Sequence, residues 1–208
     1  MTRYRSLASL QRDNARCRRC LEAGFPIHPR PIFAGNESQR AYLFGLAPGR
    51  VEAERGLPWQ GRAGRTLRRW FRLDEEEFFR RFYCASVTRC FPGPSSGGRG
   101  DRTATAVERA LCADWRENEL RLLRPALIVT LGLAPASVLL GVSRLTDVIG
   151  KSFLHDDAVV IPLPHPSGAS GWLNEPANRA RLGKALTHVR RELERIDRRG
   201  RGRIGSAG

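Results

Sequence analysis

Four short apolar runs recur along the chain, and each is followed by a polar or glycine-rich segment. The runs are Ala41–Gly45, Phe82–Thr88, Ala126–Gly132 and Ala158–Leu163. Unbroken apolar runs of this length are typical of strands that are buried on both faces of a sheet. Helical patterns lie between them, and this alternation predicts an α/β fold: a three-layer αβα domain with a mainly parallel, four-stranded sheet.

Helical periodicity is found in five segments. They are Tyr4–Ala15, Thr66–Leu73, Thr103–Leu123, Ala134–Leu140 and roughly Glu175–Arg195. Residues 1–196 show no internal repeat and no second domain, so we expect a single domain there. Residues 197–208 are rich in arginine and glycine and are expected to form a disordered basic tail.

The segment Gly45–Gly64, GLAPGRVEAERGLPWQGRAG, is dense in glycine and proline. Its composition predicts an irregular loop, because glycine allows unusual backbone angles and proline restricts them. The loop follows the first predicted strand and precedes a predicted helix. Since α/β proteins commonly bind ligands in loops at the carboxyl ends of their strands, this segment is a candidate ligand site.

His165 begins the sequence HPSGAS, directly after the fourth predicted strand. Parallel strands end at one edge of a sheet, so we expect His165 to lie beside the glycine-rich loop. A histidine there can donate a hydrogen bond to an oxygen that gains negative charge, or take part in proton transfer. Alone it would be interpreted as a structural residue of a tight turn, but together with the loop it indicates a functional site.

The chain is strongly basic: 36 Lys and Arg residues oppose 21 Asp and Glu residues, which gives a formal net charge of +15. All but two of the cations are arginines, which favour bidentate phosphate contacts, so nucleic acid is the leading partner class. No stretch is long and apolar enough to span a membrane, and the N-terminus has no apolar signal-peptide core. We therefore expect a cytoplasmic protein.

Five cysteines are present, and Cys17 and Cys20 have the CxxC spacing of a metal-binding pair. Cys90 and Cys112 are too far apart in sequence for a second zinc knuckle, whereas an iron–sulfur cluster tolerates scattered ligands. Cys84 alternates with apolar residues in a strand and is expected in the core. From the residues alone, a four-thiolate site and a set of unpaired buried thiols remain equal alternatives.

Together these motifs resemble the uracil-DNA glycosylase superfamily, most closely its fourth, iron–sulfur-containing family. That family's first motif, GEAPGxxExxxGxPFxGxAG, stands here as GLAPGRVEAERGLPWQGRAG, and its second motif begins HPS, as at His165. The four cysteines Cys17, Cys20, Cys90 and Cys112 match the family's cluster ligands in order and context. The resemblance extends over about residues 15–190.

The resemblance implies a monofunctional DNA glycosylase of base excision repair. Such an enzyme flips uracil or a related deaminated base out of DNA and hydrolyses its N-glycosidic bond. Four cysteines would hold a structural [4Fe–4S] cluster: Cys17, Cys20, Cys90 and Cys112. The partner would be DNA, without a membrane, and we expect a monomer. A nucleotide-binding P-loop is excluded, because GxxxxGK[ST] is absent.

The resemblance also implies roles for individual residues. His165 would stabilise charge on the leaving base, and Glu52 would orient or activate water. The base and its sugar would be bound by Gly45, Ala47, Gly49, Trp59 and Ser86, with the aromatic ring stacking on the base. The DNA backbone would be contacted by Ser167, Gly168, Ala169 and Ser170.

Two departures from the fourth family concern the chemistry. Leu46 occupies the position of its acidic residue, as in the GLAPA motif of the fifth family, which also lacks this carboxylate. Ser86 stands where the fourth family has an asparagine that recognises uracil, so hypoxanthine or xanthine are further candidate substrates. The alternative function is a catalytically weak protein of the same fold that recognises damaged DNA.

Overall fold

A central sheet of five strands organises the computed structural model, which describes residues 3–97, 100–167 and 171–204. The strands are β1 (Ala41–Gly45), β2 (Phe82–Ser86), β3 (Leu127–Leu131), β4 (Phe153–His155) and β5 (Ala158–Leu163). Their order is β2-β1-β3-β5-β4, and only β4 runs antiparallel to its neighbour. The predicted three-layer α/β class is confirmed, and the four predicted strands form its parallel part. The fifth strand, β4, was not predicted.

The described residues form nine α-helices around the sheet. They are α1 (Leu7–Ala15), α2 (Arg19–Glu22), α3 (Arg50–Arg55), α4 (Arg62–Phe71), α5 (Glu75–Arg81), α6 (Ala106–Leu111), α7 (Ala113–Leu123), α8 (Leu133–Leu140) and α9 (Pro176–Ile204). Side chains cap several of them; Thr105 and Glu108, for example, form a reciprocal capping box at the start of α6. The single helix predicted over Thr103–Leu123 is divided at Cys112 into α6 and α7.

Both faces of the sheet are covered, because alternate strand residues point to opposite sides. Leu43 and Val129 pack with helices α4, α5 and α9 on one face. Tyr42 and Ile128 pack with α1 and α7 on the other face. The two resulting cores hold the strands rigidly, so the loops at their ends have a fixed base.

The last helix differs from the expectation. It continues to Ile204, into the segment that was predicted to be a disordered tail from Asp197. Residues 205–208 lie outside the described part of the chain. Within the described residues, no helix combines the length and the apolar character that a membrane crossing requires.

The carboxyl ends of the parallel strands place the candidate residues together. Gly45 and Ser86 are partners in the register of β1 and β2. The pairing continues past the strand ends, because the backbone N–H of Val87 donates to the carbonyl of Gly45 at 2.9 Å. His165 follows β5 at the same edge, as the sequence predicted.

Candidate active site and cysteine group

A cavity of about 650 Å³ opens at this edge of the sheet. It lies between the loop after β1, the segment before α4, the loop after β2 and the turn after β5. Most of the residues expected at the site line it: Ala47, Gly49, Glu52, Trp59, Ser86, His165 and Ser167. The other three residues of the expected DNA-binding loop, Gly168, Ala169 and Ser170, lie outside the described residues.

Gly45, which was expected to bind the base, does not line this cavity but lies behind Trp59 and Ser86, which do. A Cβ atom at this position would lie 3.0 Å from the Trp59 ring and 3.4 Å from the Ser86 hydroxyl oxygen. The indole and the hydroxyl therefore converge on the end of β1, where the absence of a side chain leaves room for them. This is the part of the cavity in which the sequence placed base recognition.

Trp59 is held in an unusual backbone conformation, with a φ of 58°. Left-handed backbone angles at a non-glycine residue cost about 1–3 kcal/mol and persist only where surrounding contacts impose them. Here Arg68 donates to the Trp59 carbonyl at 3.2 Å, and Gly64 packs so closely that a Cβ would overlap the same carbonyl oxygen. The ring is 9% exposed, so it both contributes to the core and lines the cavity.

Glu52 lies on α3, a helix inside the segment that was predicted to be an irregular loop. That prediction was wrong for Arg50–Arg55, which forms one short helix between Gly49 and Gly56. The Glu52 carboxylate accepts a hydrogen bond from the backbone N–H of Gly61 at 2.9 Å. Its other oxygen lies 2.9 Å from the point where a Cβ of Gly49 would stand. The carboxylate is thus fixed against the backbone of the loop.

Asp101 is a second carboxylate in the cavity, and sequence reasoning missed it. Its Oδ2 lies 3.2 Å from the same point beside Gly49 that Glu52 approaches. Burial raises the pKa of Asp101, and the negative charge of Glu52 adds to this, whereas the charge and backbone N–H of Arg50 oppose it. Two carboxylates therefore face one small volume of the cavity.

The segment that carries Asp101 is anchored by its neighbour Arg102. Arg102 forms a bidentate ion pair with Glu108 at 2.7 and 2.8 Å, and its backbone N–H donates to the carbonyl of Gly93. Arg102 holds the pKa of the buried Glu108 at about 2. The two partners are only six residues apart, but one lies in a loop and the other in a helix, so no periodic pattern in the sequence indicates the pair.

His165 is oriented by the residue that follows it by two positions. The backbone N–H of Ser167 donates to its Nδ1 at 3.3 Å, and the Ser167 hydroxyl oxygen lies 2.8 Å from the same nitrogen. Burial lowers the pKa of His165 below its ordinary value, which favours the neutral form of the ring. Since Nδ1 accepts a hydrogen bond, the proton of the neutral ring is on Nε2, which leaves one N–H donor for a ligand.

The four cysteines expected to bind a cluster lie in two neighbouring groups: Cys20 packs with Cys90, and Cys17 packs against the core that contains Cys112. Interaction with Cys112 and burial raise the pKa of Cys20, and the charges of Cys90 and Cys17 add smaller increases. All cysteines of the chain are free thiols. Cys84 is fully buried in the core, as predicted. Within the described part of the chain, no three His, Cys, Asp or Glu side chains are close enough to hold one metal ion.

The surroundings of these thiols fit a negatively charged group. The pKa of Cys112 is lowered to about 6, chiefly by its hydrogen bond with Cys20 and also by the backbone N–H and charge of Arg89. Arg89 is buried and forms a 2.7 Å ion pair with Glu119. Its Nε and Nη1, together with Nε1 of Trp115, have no hydrogen-bond partner among the described residues. The charge of Arg89 opposes the rise that burial causes in the pKa of Cys90 and helps to lower the pKa of Cys112, so it would also favour a negatively charged cluster on the four thiolates.

Comparison with known proteins supports the resemblance found in the sequence. A profile of the uracil DNA glycosylase superfamily matches residues 32–190, a range that includes Cys90 and Cys112 but not Cys17 and Cys20. A type-4 uracil-DNA glycosylase of Sulfurisphaera tokodaii is 25% identical over 177 residues, covering 79% of this chain and 76% of its own length. The protein of the same name from Thermotoga maritima is 31% identical over 138 residues, covering 64% and 67%. That of Archaeoglobus fulgidus is also 31% identical, over 130 residues that cover 61% and 60%.

Proposed function

This chain belongs to the uracil DNA glycosylase superfamily, and from this membership we propose that it is a monofunctional DNA glycosylase. It hydrolyses the N-glycosidic bond of uracil or a related deaminated base, as a step of base excision repair. The observation that carries the proposal is the cavity in which Trp59, His165 and two carboxylates meet. Its volume of about 650 Å³ is that of a small-molecule site, which suits a flipped nucleotide.

The base binds at the back of the cavity, beside Trp59 and Ser86. Flipping costs a few kcal/mol of lost stacking and pairing, which contacts in the pocket must offset. The Trp59 ring supplies an apolar aromatic surface there, and it packs closely against Gly45. The Ser86 hydroxyl supplies one adjustable donor or acceptor, which suits more than one deaminated base.

His165 stabilises the leaving base. As the bond to the sugar breaks, negative charge develops on an oxygen of the base, and Nε2–H of the neutral imidazole donates to it. Ser167 fixes the ring from the other side, so the donor is oriented before the reaction starts. Removing one preorganised donor of this kind typically costs about 10²–10³ in rate.

Glu52 and Asp101 act on the sugar side. Their negative charges stabilise the oxocarbenium-like sugar, and they hold the attacking water between them. The water oxygen bonds to C1′ as the bond to the base nitrogen breaks, and the water proton passes to a carboxylate. We assign Asp101 the role that Leu46 leaves unfilled, because Asp101 brings a carboxylate to the cavity from a different loop.

The cysteine group has a structural role in this proposal. Cys17, Cys20, Cys90 and Cys112 would hold a [4Fe–4S] cluster, whose chemistry here is the cross-linking of chain segments by iron–thiolate bonds. It would join the N-terminal α1 and α2 to the end of β2 and to the junction of α6 and α7. Arg19 already supports this arrangement, since it pairs with Asp114 and lies 4.5 Å above the Trp115 ring.

A damage-recognising protein without efficient catalysis is the second candidate. It is favoured by Leu46 and Ser86, which replace an acidic residue and an asparagine of the fourth family. The two candidates differ in one measurable outcome, because only the enzyme leaves an abasic site.

The deciding experiment is a glycosylase panel. Oligonucleotides with uracil, hypoxanthine, xanthine or a mismatch are incubated with the protein in single- and double-stranded form and then treated with alkali. Cleavage at a deaminated base supports the enzyme, and binding without cleavage of any substrate supports the second candidate. Asp156→Asn is a matched control for changes at Asp101, because Asp156 lies in the turn between β4 and β5, at the opposite edge of the sheet.

A further inference from the structure

A groove lined by arginines runs along α4, beside the cavity described above. It encloses about 520 Å³ and is lined by Arg62, Arg65, Arg68, Arg69, Arg72 and Leu73. Arg62 lines both the groove and the main cavity. The two concave surfaces therefore meet at the N-terminus of α4.

Four of these arginines form a continuous row. Arg62, Arg65, Arg69 and Arg72 are exposed and follow one another at intervals of three, four and three residues. This spacing places the first three on one side of the helix, and Arg72, the residue that caps its C-terminus, lines the same groove. A rise of 1.5 Å per residue makes the row about 15 Å long. A row of that length meets several successive phosphates of one nucleic-acid strand, which follow one another every 3.4 Å along a duplex.

The exposed arginines of the row do not take part in the ion pairs that stabilise the fold of the described residues. Arg68, below it, is mostly buried and bonds Glu75 at 3.3 Å and the Trp59 carbonyl. The four exposed arginines have no carboxylate within 4.0 Å in the described part of the chain. They are therefore available to an external anion.

This arrangement also opposes the stability of the helix. Arg65 and Arg69 are like charges one turn apart, and Arg62 stands in a first turn that contains no acidic residue. The next helix, α5, has the ordinary arrangement: three glutamates in its first turn and Arg80 and Arg81 in its last. Since the same chain arranges charge favourably in α5, the row on α4 indicates a binding role.

We propose that Arg62, Arg65, Arg69 and Arg72 form a backbone track, a surface that binds the phosphates of the DNA strand entering the cavity. The proposal rests on the proposed function, because the track begins where the flipped nucleotide would lie. The guanidinium fork matches phosphate oxygens bidentately, and the regular row matches a regular series of phosphates. Arg68 joins the track to the pocket, since it holds the Trp59 carbonyl from the same helix.

The test removes charge from the track without touching the cavity. The triple variant Arg65→Gln, Arg69→Gln and Arg72→Gln leaves Arg62 in place. Binding of a single-stranded oligonucleotide without deaminated bases is measured by fluorescence anisotropy at salt concentrations from about 50 to 200 mM, over which such affinities change strongly. The slope of log K against log salt should fall in magnitude by about 2, because three single-strand contacts contribute about 0.7 each.

The matched control removes three exposed arginines from the opposite side of the sheet. Arg3, Arg5 and Arg12 lie on or before α1 and are replaced by glutamine. Their loss changes the net charge equally and should change the slope by less than 1 unit, roughly one contact. Equal losses of slope in the two triples, or no loss in the track triple, would overturn the proposal.

The triple variant Arg65→Lys, Arg69→Lys and Arg72→Lys distinguishes an effect of lost charge from an effect of altered packing. It keeps the positive charges, so its salt slope should stay close to that of the unsubstituted protein. If it lost as much slope as the glutamine triple, altered packing of α4 would explain the effect and the track would be rejected. The base-excision panel is independent of these measurements, since the oligonucleotide used here carries no substrate base. A protein that excises no base can still show the track, and an active enzyme can lack it.

Discussion

Asp101→Asn removes the charge of the second carboxylate and keeps the size of its side chain. Asp101 approaches within 3.2 Å, and Glu52 within 2.9 Å, of one point beside Gly49, so both act on the same volume. A general base typically contributes about 10²–10⁴ in rate, and because Glu52 remains, we expect the lower end, about 100-fold in kcat. DNA affinity should change by less than twofold, roughly the measurement error, because Asp101 lies among cavity residues rather than phosphate-binding arginines.

The assay is single-turnover excision from the best substrate of the panel, followed from pH 4 to pH 9 around the ordinary Asp pKa of about 3.9. Activity through Asp101 requires its ionised form, so the rate should rise with pH through a pKa above the ordinary Asp value. Asp101→Asn should abolish this rise of the excision rate with pH. Asp156→Asn should leave both the rate and its pH dependence unchanged. Full activity of Asp101→Asn with an unaltered acid limb would refute the assignment. A parallel loss of thermal stability would instead indicate that the residue only supports the loop.

Three further predictions concern other parts of the molecule. His165→Ala should lower excision by about 10²–10³ and leave DNA binding nearly intact, and unchanged excision would contradict its role as a donor to the base. Glu108→Gln should lower the free energy of unfolding by about 3 kcal/mol in urea titrations, because an amide cannot neutralise the charge of Arg102. In the unsubstituted protein this contribution is complete above pH 4.5 and is lost as the pH falls towards 2, since the folded pKa of Glu108 is about 2 against an ordinary 4.5. The purified protein should be brown and contain about four irons per chain; Cys112→Ser should lose them and Cys84→Ser should keep them, whereas a colourless zinc protein would exclude the cluster.

The parallel sheet could be predicted because each of its strands is a continuous apolar run. The antiparallel strand β4 could not, since Phe153–His155 is only three residues long and half exposed. Helix α3 was missed for a different reason. Its residues, RVEAER, favour a helix, but Gly49 and Gly56 border it so closely that the composition of the whole segment indicated a loop.

The candidate site was predictable where sequence motifs mark it and was missed where tertiary contacts create it. His165 and Glu52 stand in recognisable motifs, and the cavity brings them together. Asp101 lies in a segment of glycine, proline and serine, which has no regular pattern. Its position depends on the pairing of Arg102 with Glu108 and on the backbone N–H of Arg50, and none of these contacts is visible in local sequence.

The segment from Ser86, the last residue of β2, to Cys90 connects the base pocket with the cysteine group. Ser86 faces the base pocket and Cys90 belongs to the cysteine group, and the chain between them is bonded on both sides. The backbone of Thr88 donates to the carbonyl of Leu46, and the side chain of Arg89 is paired with Glu119 inside the core. Oxidation of Cys90 would therefore disturb a segment whose neighbours, Ser86, Phe91 and Pro92, line the cavity. In the proposed glycosylase, keeping Cys90 reduced or bound would therefore also preserve the shape of the base pocket.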